Sequence, residues 1–207
     1  MSDNEDAQAV KAVPDGYTTV TPWVIGSDTS GLIDYLERAF GAEEVGRFVM
    51  EDGSVGHAEL RIGTGRIMAF DSPPGWGPTP AFIRLYVEDA EAVHRRAVEA
   101  GGTSVTDVTH LFFGDKVGRV RDPYGNLWWI QTHIEDVDEA EMGRRLTDPE
   151  FTAAMRYVTG ALHETTPEGP AGPVGRRTRL STADVLDALR SGRSERDAAL
   201  GVPGDEE

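Results

Sequence analysis

The stretch Asp122-Pro123-Tyr124-Gly125-Asn126-Leu127-Trp128-Trp129-Ile130-Gln131-Thr132-His133 joins a turn directly to an aromatic strand, and it decides the fold. Its first five residues combine Asp-Pro with Gly-Asn, which favours a turn, and the Leu-Trp-Trp-Ile run that follows favours an extended chain. Because side chains alternate along a strand, Trp129, Gln131 and His133 share one face, opposite an apolar set. That face offers the aromatic surface and hydrogen-bonding groups of a small-molecule site, although a strand with one face in water would show the same alternation.

Length and composition are those of a globular protein without membrane spans or disulfides. The chain has 207 residues, of which 39% are hydrophobic. No run approaches the roughly 20 apolar residues that a membrane-spanning helix needs. Residues 1–15 are acidic and lack the basic start and apolar core of a secretion signal, so we expect a cytoplasmic location. The absence of cysteine excludes disulfides and thiolate metal ligands.

The net charge of −16 argues against two classes of partner. Acidic residues are spread along the whole chain, and no basic stripe interleaved with aromatic residues is present. Such a chain repels nucleic-acid phosphates and anionic lipids, so we expect neither nucleic acid nor a membrane as a partner. A solvated acidic surface that aids solubility accounts for the charge.

A pattern of one strand, one helix and three strands occurs twice. In the first unit, a helix capped by Ser27 or Asp28 ends at Gly41; in the second, a helix capped by Asp89 ends at Gly101. The predicted strands cover 18–25, 44–50, 55–62 and 66–71 in the first unit, and 81–87, 104–113, 116–121 and 127–133 in the second.

Matching residues in the two units lie at one constant separation. The helix-ending glycines are 60 residues apart, and so are Gly65 and Gly125 in the final turns and Arg61 and Arg121 just before them. A single period at three positions indicates an internal duplication.

The duplicated pattern predicts an α+β fold of paired βαβββ modules that form a cup-shaped mixed sheet with outer helices, plus a C-terminal helical extension. The cup between the two sheets is the expected binding site. We expect a flexible lead-in over 1–16, a domain over 17–137 with modules at 17–72 and 80–137, and the extension over 138–207.

Four short motifs resemble a known family. They are YLERAFGA at 35–42, GHAEL at 56–60, YVED at 86–89 and GRVRDPYG at 118–125. Together with the duplication, they resemble the vicinal oxygen chelate superfamily, and within it the PhnB-like branch of the glyoxalase, bleomycin-resistance and dioxygenase group. The resemblance covers about residues 17–137 and implies the fold. It leaves the reaction open, because the family includes isomerases, lyases, dioxygenases, thiol transferases and binding proteins without catalysis.

The resemblance also implies where a metal would bind. Metal-dependent members use a His or Glu on the first and last strand of each module. Carried over by position, the last-strand ligands fall on Ala69 and Trp129, and the opening strands over 18–25 and 81–87 contain no His, Asp or Glu. A divalent ion needs several oxygen or nitrogen donors, so we expect no metal there and no cofactor. The alternative is a relocated site built from His57, Glu59 and His133.

Alternation along the strands and the aromatic content select the candidate ligand-binding residues. Aromatic side chains would stack on a ligand, and Arg84 would face its anionic or carbonyl group. Each candidate has a structural alternative, such as a core aromatic residue or a histidine hydrogen-bonded within a sheet. The candidates are Trp23, His57, Glu59, Arg84, Phe112, Trp129, Gln131 and His133; no catalytic residue is assigned.

These observations favour a homodimeric, glyoxalase/bleomycin-resistance-like protein that binds a small organic ligand, aromatic or carbonyl-bearing, in its cup without the usual metal. The alternative is an enzyme, a metal-dependent lyase, isomerase or dioxygenase with relocated His and Glu ligands. A third class is a scaffold that captures a partner through its tail.

The tail contains two predicted helices and a linker. Thr147 with Glu150 forms a capping box for a helix over 147–163, whose apolar residues lie on one face. A linker rich in Pro and Gly over 164–179 precedes a second amphipathic helix over 182–200. Docking on their own domain is the expected role of these helices.

Overall fold

A computed structural model describes residues 10–77 and 79–165. The described chain runs strand, helix and three strands twice and then ends in helices, so the α+β class and the duplicated modules are confirmed. The predicted helix over 182–200 lies outside the described residues, as does the linker from 166 onward. The elements are β1 (Trp23–Gly26), α1 (Thr29–Phe40), β2 (Glu43–Val49), β3 (Val55–Ile62), β4 (Gly65–Asp71), β5 (Phe82–Tyr86), α2 (Ala90–Glu99), β6 (Thr103–His110), β7 (Asp115–Arg121), β8 (Leu127–His133), α3 (Glu139–Arg145) and α4 (Pro149–Thr165).

The two modules have the same sheet topology. Each forms a four-stranded sheet in which the last strand lies beside the first, in the orders β1-β4-β3-β2 and β5-β8-β7-β6. The first and last strands are parallel, and the other pairs are antiparallel. The crossover that parallel strands require is supplied by the helix and by the intervening strands. Identical order in both sheets agrees with duplication.

The ends of both helices follow from their capping residues. The Asp28 carboxylate accepts a hydrogen bond from the amide of Gly31 at 2.9 Å, and the Asp89 carboxylate accepts one from Ala92 at 2.9 Å. Gly41 ends α1 with φ of 65°, a left-handed conformation that suits glycine. Asp28, Gly41 and Asp89 therefore act as predicted, and Gly101, with φ of 116°, turns the chain just after the end of α2.

The modules join through their helices in one shared core. The rings of Phe40 on α1 and Trp128 on β8 lie 4.8 Å apart, and both belong to a buried apolar cluster that includes α1, α2 and both sheets. Tyr35 donates a hydrogen bond to the Ala97 carbonyl at 3.3 Å. Gly102 fits this contact because a β-carbon there would lie 2.5 Å from Val120 and 2.7 Å from the Tyr35 hydroxyl.

The helices α1 and α2 lie on one side of their sheets. They pack against each other and against both sheets in one shared core. The physical reason is that α1 and α2 carry the apolar faces of both modules, and each buries its face against the other as well as against its own sheet. The sheet faces opposite the helices therefore point away from this core.

The carboxylate of Asp122 ties the turn at 122–126 to the core. It is 3% exposed and accepts hydrogen bonds from the amides of Tyr124 and Asn126, from the Asn126 side chain and from the Trp128 indole, at 2.8–2.9 Å. The Asn126 side-chain oxygen in turn accepts from the Ala81 amide at 2.9 Å. These bonds fix the start of β8 and place Trp128 on the helix side.

Two helices follow the second module. The first, α3, was not predicted, because its residues EAEMGRR lack an apolar period. It is held by Arg145, whose guanidinium donates to both carboxylate oxygens of Glu135 at 2.5 and 2.9 Å. This contact, with desolvation acting in the opposite sense, lowers the pKa of Glu135 to about 2.

The N-terminal cap of the second helix lies one residue later than predicted. Asp148 precedes α4 and accepts a hydrogen bond from the Glu150 amide at 2.8 Å, whereas the Thr147 hydroxyl donates to the Arg144 carbonyl. The predicted Thr147 cap is therefore wrong, since Asp148 competes for the same amides with a charged acceptor.

None of the helices within residues 10–77 and 79–165 combines the length and the apolar character needed to cross a bilayer. The cytoplasmic location stays a prediction.

Replacing Asp122 by Ala should lower the free energy of unfolding by at least about 3 kcal/mol, because it leaves several buried donors without an acceptor. Urea unfolding followed by circular dichroism measures the change. Asp89→Ala is the matched control, since it removes a carboxylate that caps a helix at the surface and should cost about 1 kcal/mol. Equal losses in the two variants would show that Asp122 is no more than a local cap.

Candidate functional site

We call the side of each sheet that points away from α1 and α2 its open face. In the first sheet, Val24, Ala58 and Ala69 lie side by side and are fully buried toward the helices. Their neighbours along each strand, such as Trp23 and Glu59, therefore belong to the open face. In the second sheet, Trp128 and Ile130 are buried in the core, and the residues between and after them lie on the open face.

The first open face carries a group of aromatic side chains. The Trp23 ring lies 5.6 Å from that of His57 and 5.3 Å from that of Phe70, both edge to face. The Trp76 ring, from the connector between the modules, lies 6.1 Å from Phe70. Trp23 is 45% exposed and Trp76 57% exposed, so this aromatic surface is open to a ligand or to another chain.

Glu59 is the centre of a polar network on the same face. Its carboxylate accepts a short hydrogen bond from the Tyr17 hydroxyl and another from Arg66 at 3.2 Å, and the His57 ring lies within 3.4 Å. The Tyr17 bond lowers the pKa of Glu59 most, with smaller contributions from His57 and Arg66, and desolvation opposes them. The same bond raises the pKa of Tyr17. Glu59 is thus held as a carboxylate that accepts hydrogen bonds.

The second open face is organised around Trp129. The guanidinium of Arg119 lies 4.1 Å from the centre of the Trp129 ring, and that of Arg84 lies 4.9 Å from it. The Phe82 ring stands edge to face at 5.9 Å. Strand pairing places these side chains in one row, since Arg84 lies opposite Trp129 on β8 and Trp129 lies opposite Arg119 on β7. Two cations therefore flank one indole.

Beyond this row, a chain of hydrogen bonds leads to the end of the sheet. Gln131 donates a short bond to the buried carboxylate of Asp115 and another to the Tyr86 hydroxyl at 3.2 Å. The other oxygen of Asp115 lies 2.6 Å from His133 Nδ1, and Asp136 lies 3.1 Å from His133 Nε2. The bonds to Asp115 and Asp136 raise the pKa of His133 against a small desolvation effect.

Helix α4 covers part of the second open face. Val158 is buried against Leu111 and Val117, with Trp129 packed beside them. The Tyr157 hydroxyl accepts a hydrogen bond from the Asp107 amide at 2.9 Å, and Arg119 donates to the Val158 carbonyl at 2.5 Å. The prediction that this helix docks on its own domain is confirmed, and its docking surface is the candidate ligand face.

The chain matches a known protein family. Residues 18–130 match the model of the Glyoxalase/Bleomycin resistance protein/Dioxygenase superfamily. The chain belongs to this superfamily.

Relatives and solved structures agree with that membership. Uncharacterized protein Rv0887c of Mycobacterium tuberculosis (strain ATCC 25618 / H37Rv) is 32% identical over 148 residues, which are 66% of this chain and 85% of the relative. Uncharacterized protein Mb0911c of Mycobacterium bovis (strain ATCC BAA-935 / AF2122/97) is 34% identical over 134 residues, 59% of this chain and 88% of that protein. The crystal structure of TioX from Micromonospora sp. ML1 has a TM-score of 0.50 and 25% identity, covering 56% of this chain and 99% of TioX.

The residues at the superfamily's metal positions do not fit a divalent cation. Open-face residues that pair between the first and last strands are Trp23 beside Met68 in one module and Arg84 beside Trp129 in the other. An indole N–H has no free lone pair, a guanidinium is cationic, and a thioether is a soft ligand. Among the described residues, no group of three or more His, Asp or Glu side chains is placed to hold a metal.

The structure corrects one of the two positions assigned from the superfamily. Ala69 faces the buried core, and Met68 is the last-strand residue on the open face. The constant spacing of the turn glycines conceals a difference in loop length, because Arg61 pairs with Arg66 whereas Arg121 pairs with Leu127. The second connection is thus one residue longer, which shifts the register after it by one.

The predicted site residues fall into two groups on different sheets. On the first open face, His57 contacts both Trp23 and Glu59. On the second, Arg84 contacts Trp129, while Gln131 and His133 share the carboxylate of Asp115. Phe112 belongs to neither group, since it lies in the loop between β6 and β7 with its ring 5.2 Å from that of Phe113.

Sequence reasoning missed three residues that the structure places at the site. Tyr17 comes from the chain before β1, and no motif marks it. Asp115 falls between the strands predicted over 104–113 and 116–121, and no motif marks it. The internal repeat could have pointed to Arg119. Arg61 and Arg121 are matched positions, and the residues two before them, Glu59 and Arg119, occupy equivalent positions on the two open faces.

The raised pKa of His133 predicts a dependence of stability on pH. The folded protein binds this proton more tightly than the unfolded chain, so the stabilisation is complete below the ordinary pKa of 6.5 and is lost as the pH rises through the raised value. Wild type should therefore lose unfolding free energy more steeply than His133→Gln above pH 6.5.

Urea unfolding at a series of pH values, with an NMR titration of the His133 ring, measures this effect. Asp136→Asn is the matched variant, because it removes the exposed carboxylate and leaves Asp115 in place; its His133 pKa should lie between those of wild type and an ordinary histidine. Parallel curves for wild type and His133→Gln would refute the assignment.

Proposed function

We propose that the protein binds a small organic molecule, aromatic or carbonyl-bearing, on its open faces and does so without the divalent metal used by other superfamily members. The observation that carries the proposal is the pairing of the first and last strands, where Trp23 lies beside Met68 and Trp129 beside Arg84, and none of these side chains suits a divalent cation. Indole rings stack on flat ligands, and the flanking Arg84 and Arg119 suit an acidic or carbonyl group. Superfamily membership supports this class of function and is compatible with catalysis as well.

We also propose that the working unit is a homodimer. Because the helices fill the core, no described helix or strand of the same chain forms a wall opposite the first open face or opposite the part of the second that α4 leaves uncovered. A second copy supplies that wall when its second sheet faces the first sheet of its partner. The exposed aromatic residues on these faces support such contact: Phe82 is 57% exposed and Tyr86 63% exposed. The ligand would then lie between two chains.

An enzymatic function is the alternative, and the contact of His57 with Glu59 at 3.4 Å is the observation that favours it. A relocated metal would need further ligands. His133, the third residue of that hypothesis, lies on the other sheet, and both of its ring nitrogens contact carboxylates. An imidazole in that arrangement has to release a proton and a carboxylate contact before it binds a cation, so this alternative is second.

Native mass spectrometry of the protein purified from its own cells tests the ligand. The expected species is two chains with an organic molecule bound. A compound identified in this way should quench tryptophan fluorescence equally with and without EDTA. Trp129→Phe should weaken its binding about tenfold, because a smaller ring stacks less well. Stoichiometric metal that disappears in His57→Ala would instead establish the enzymatic alternative.

The dimer is tested separately by charge substitution on an exposed aromatic residue. Phe82→Glu should weaken self-association by roughly two orders of magnitude, since a carboxylate would be desolvated between the chains. Sedimentation equilibrium measures the association constant. Val98→Glu on α2 is the matched control, because Val98 is an exposed apolar residue away from both open faces. Equal association of the two variants and wild type would rule out this interface.

A further inference from the structure

Arg119 is a buried cation that has no acidic partner in the described part of the chain. It is 1% exposed, and none of the ion pairs within residues 10–77 and 79–165 includes it. Its guanidinium stacks on Trp129 and donates one hydrogen bond, to the Val158 carbonyl. Burial lowers the pKa of Arg119. A desolvated guanidinium is unfavourable unless an anion or several acceptors compensate it.

Other polar groups beside Arg119 also lack partners. Strand pairing sets Thr106, Arg119, Trp129 and Arg84 in one row across four strands. Arg119 Nε, the Trp129 indole nitrogen and the Thr106 hydroxyl are buried and have no hydrogen-bond partner among the residues that the structure describes. Three groups able to donate thus lie next to one another, with a second guanidinium at the end of the row. We call these four residues the basic row.

Helix α4 closes the basic row with few contacts. Val158 is the one fully buried side chain among residues 149–161, with Ala154 and Met155 packed beside it, and the Phe151 ring lies 5.3 Å from that of His110. The Val158 carbonyl and the Tyr157 hydroxyl accept hydrogen bonds from the sheet. Most of the other described side chains of α4 are exposed or half-buried. Elements held by so small a buried surface open at low free-energy cost. The carbonyl of Val158 supplies the kind of oxygen that an acid group would offer Arg119.

We propose that the basic row binds the carboxylate of a small aromatic acid, and that this carboxylate displaces α4 by replacing the Val158 carbonyl at Arg119. The proposal rests on the proposed ligand-binding function. It specifies the class of ligand and the element, α4, that competes with the ligand for the site. The chain carries a net charge of −16, so its overall field repels an anion, and affinity for one has to come from a local cationic site of this kind. Trp129 provides the stacking surface for the ring.

Benzoate is the probe, and the full-length chain labelled with ¹⁵N is the sample. The signals to follow are the Trp129 indole N–H and the Arg119 Nε–H, assigned with Trp129→Phe and Arg119→Leu. Benzoate should shift both signals saturably at constant ionic strength, whereas neutral benzamide should shift them little. Arg119→Leu should weaken benzoate binding at least about tenfold, the usual effect of losing a charge-assisted hydrogen bond. Arg84→Gln, a change at a less buried position, should weaken it by a smaller factor.

A second pair of variants tests the displacement of α4. Tyr157→Phe removes the hydroxyl that accepts from Asp107 and should tighten benzoate binding by about threefold to tenfold, because the closed state competes with the ligand. Arg156→Ala is the matched control on the exposed side of α4 and should leave the affinity unchanged. Weaker binding in Tyr157→Phe would overturn the displacement, since α4 would then be part of the site.

The remaining outcomes separate this inference from the proposed function. If benzoate leaves the Trp129 and Arg119 signals unchanged in both wild type and Tyr157→Phe, the basic row is not a carboxylate site. A shift confined to Trp23 would also overturn the inference while leaving ligand binding on the open faces intact. Equal responses to benzoate and benzamide would show that charge recognition is absent and would refute the proposed ligand class.

Discussion

The carboxylate of Asp122 sets the geometry on which the rest of the structure depends. By accepting bonds from the turn and from the Trp128 indole, it fixes which face of β8 is buried. Because strand side chains alternate, burying Trp128 forces Trp129 to the opposite side. A shift of one residue would exchange the two tryptophans. The position of the candidate ligand face thus follows from a buried acid whose bonds lie on the helix side of the sheet.

The packing of the helices determines where that face points. Since α1 and α2 fill the core common to both sheets, neither sheet can cover the open face of the other within the chain. The first open face is left with exposed aromatic rings, and the second is partly covered by α4. The two open faces of one chain therefore differ, because one is partly covered and the other is exposed.

The duplicated modules, the caps at Asp28 and Asp89, and the bounds of β8 could be predicted from local residue preferences. The burial of Arg119 could not, because α4, which covers it, lies about 40 residues further along the chain and is brought there only by folding. The burial of Ala69 toward the core could not be predicted, because the connection before β8 is one residue longer than the connection before β4, although the glycine spacing is the same. The position of the helices depends on module packing, which local patterns do not encode.

The equivalent positions Glu59 and Arg119 carry opposite charge. In the proposed homodimer, pairing unlike sheets across a two-fold axis would set the side of Glu59 against that of Arg119, whereas pairing like sheets would oppose Glu59 to its own copy. This difference between the repeats would favour one mutual orientation of the subunits. A ligand bound between the subunits would face an acidic group on one side and a basic group on the other, and its own dipole would determine its orientation.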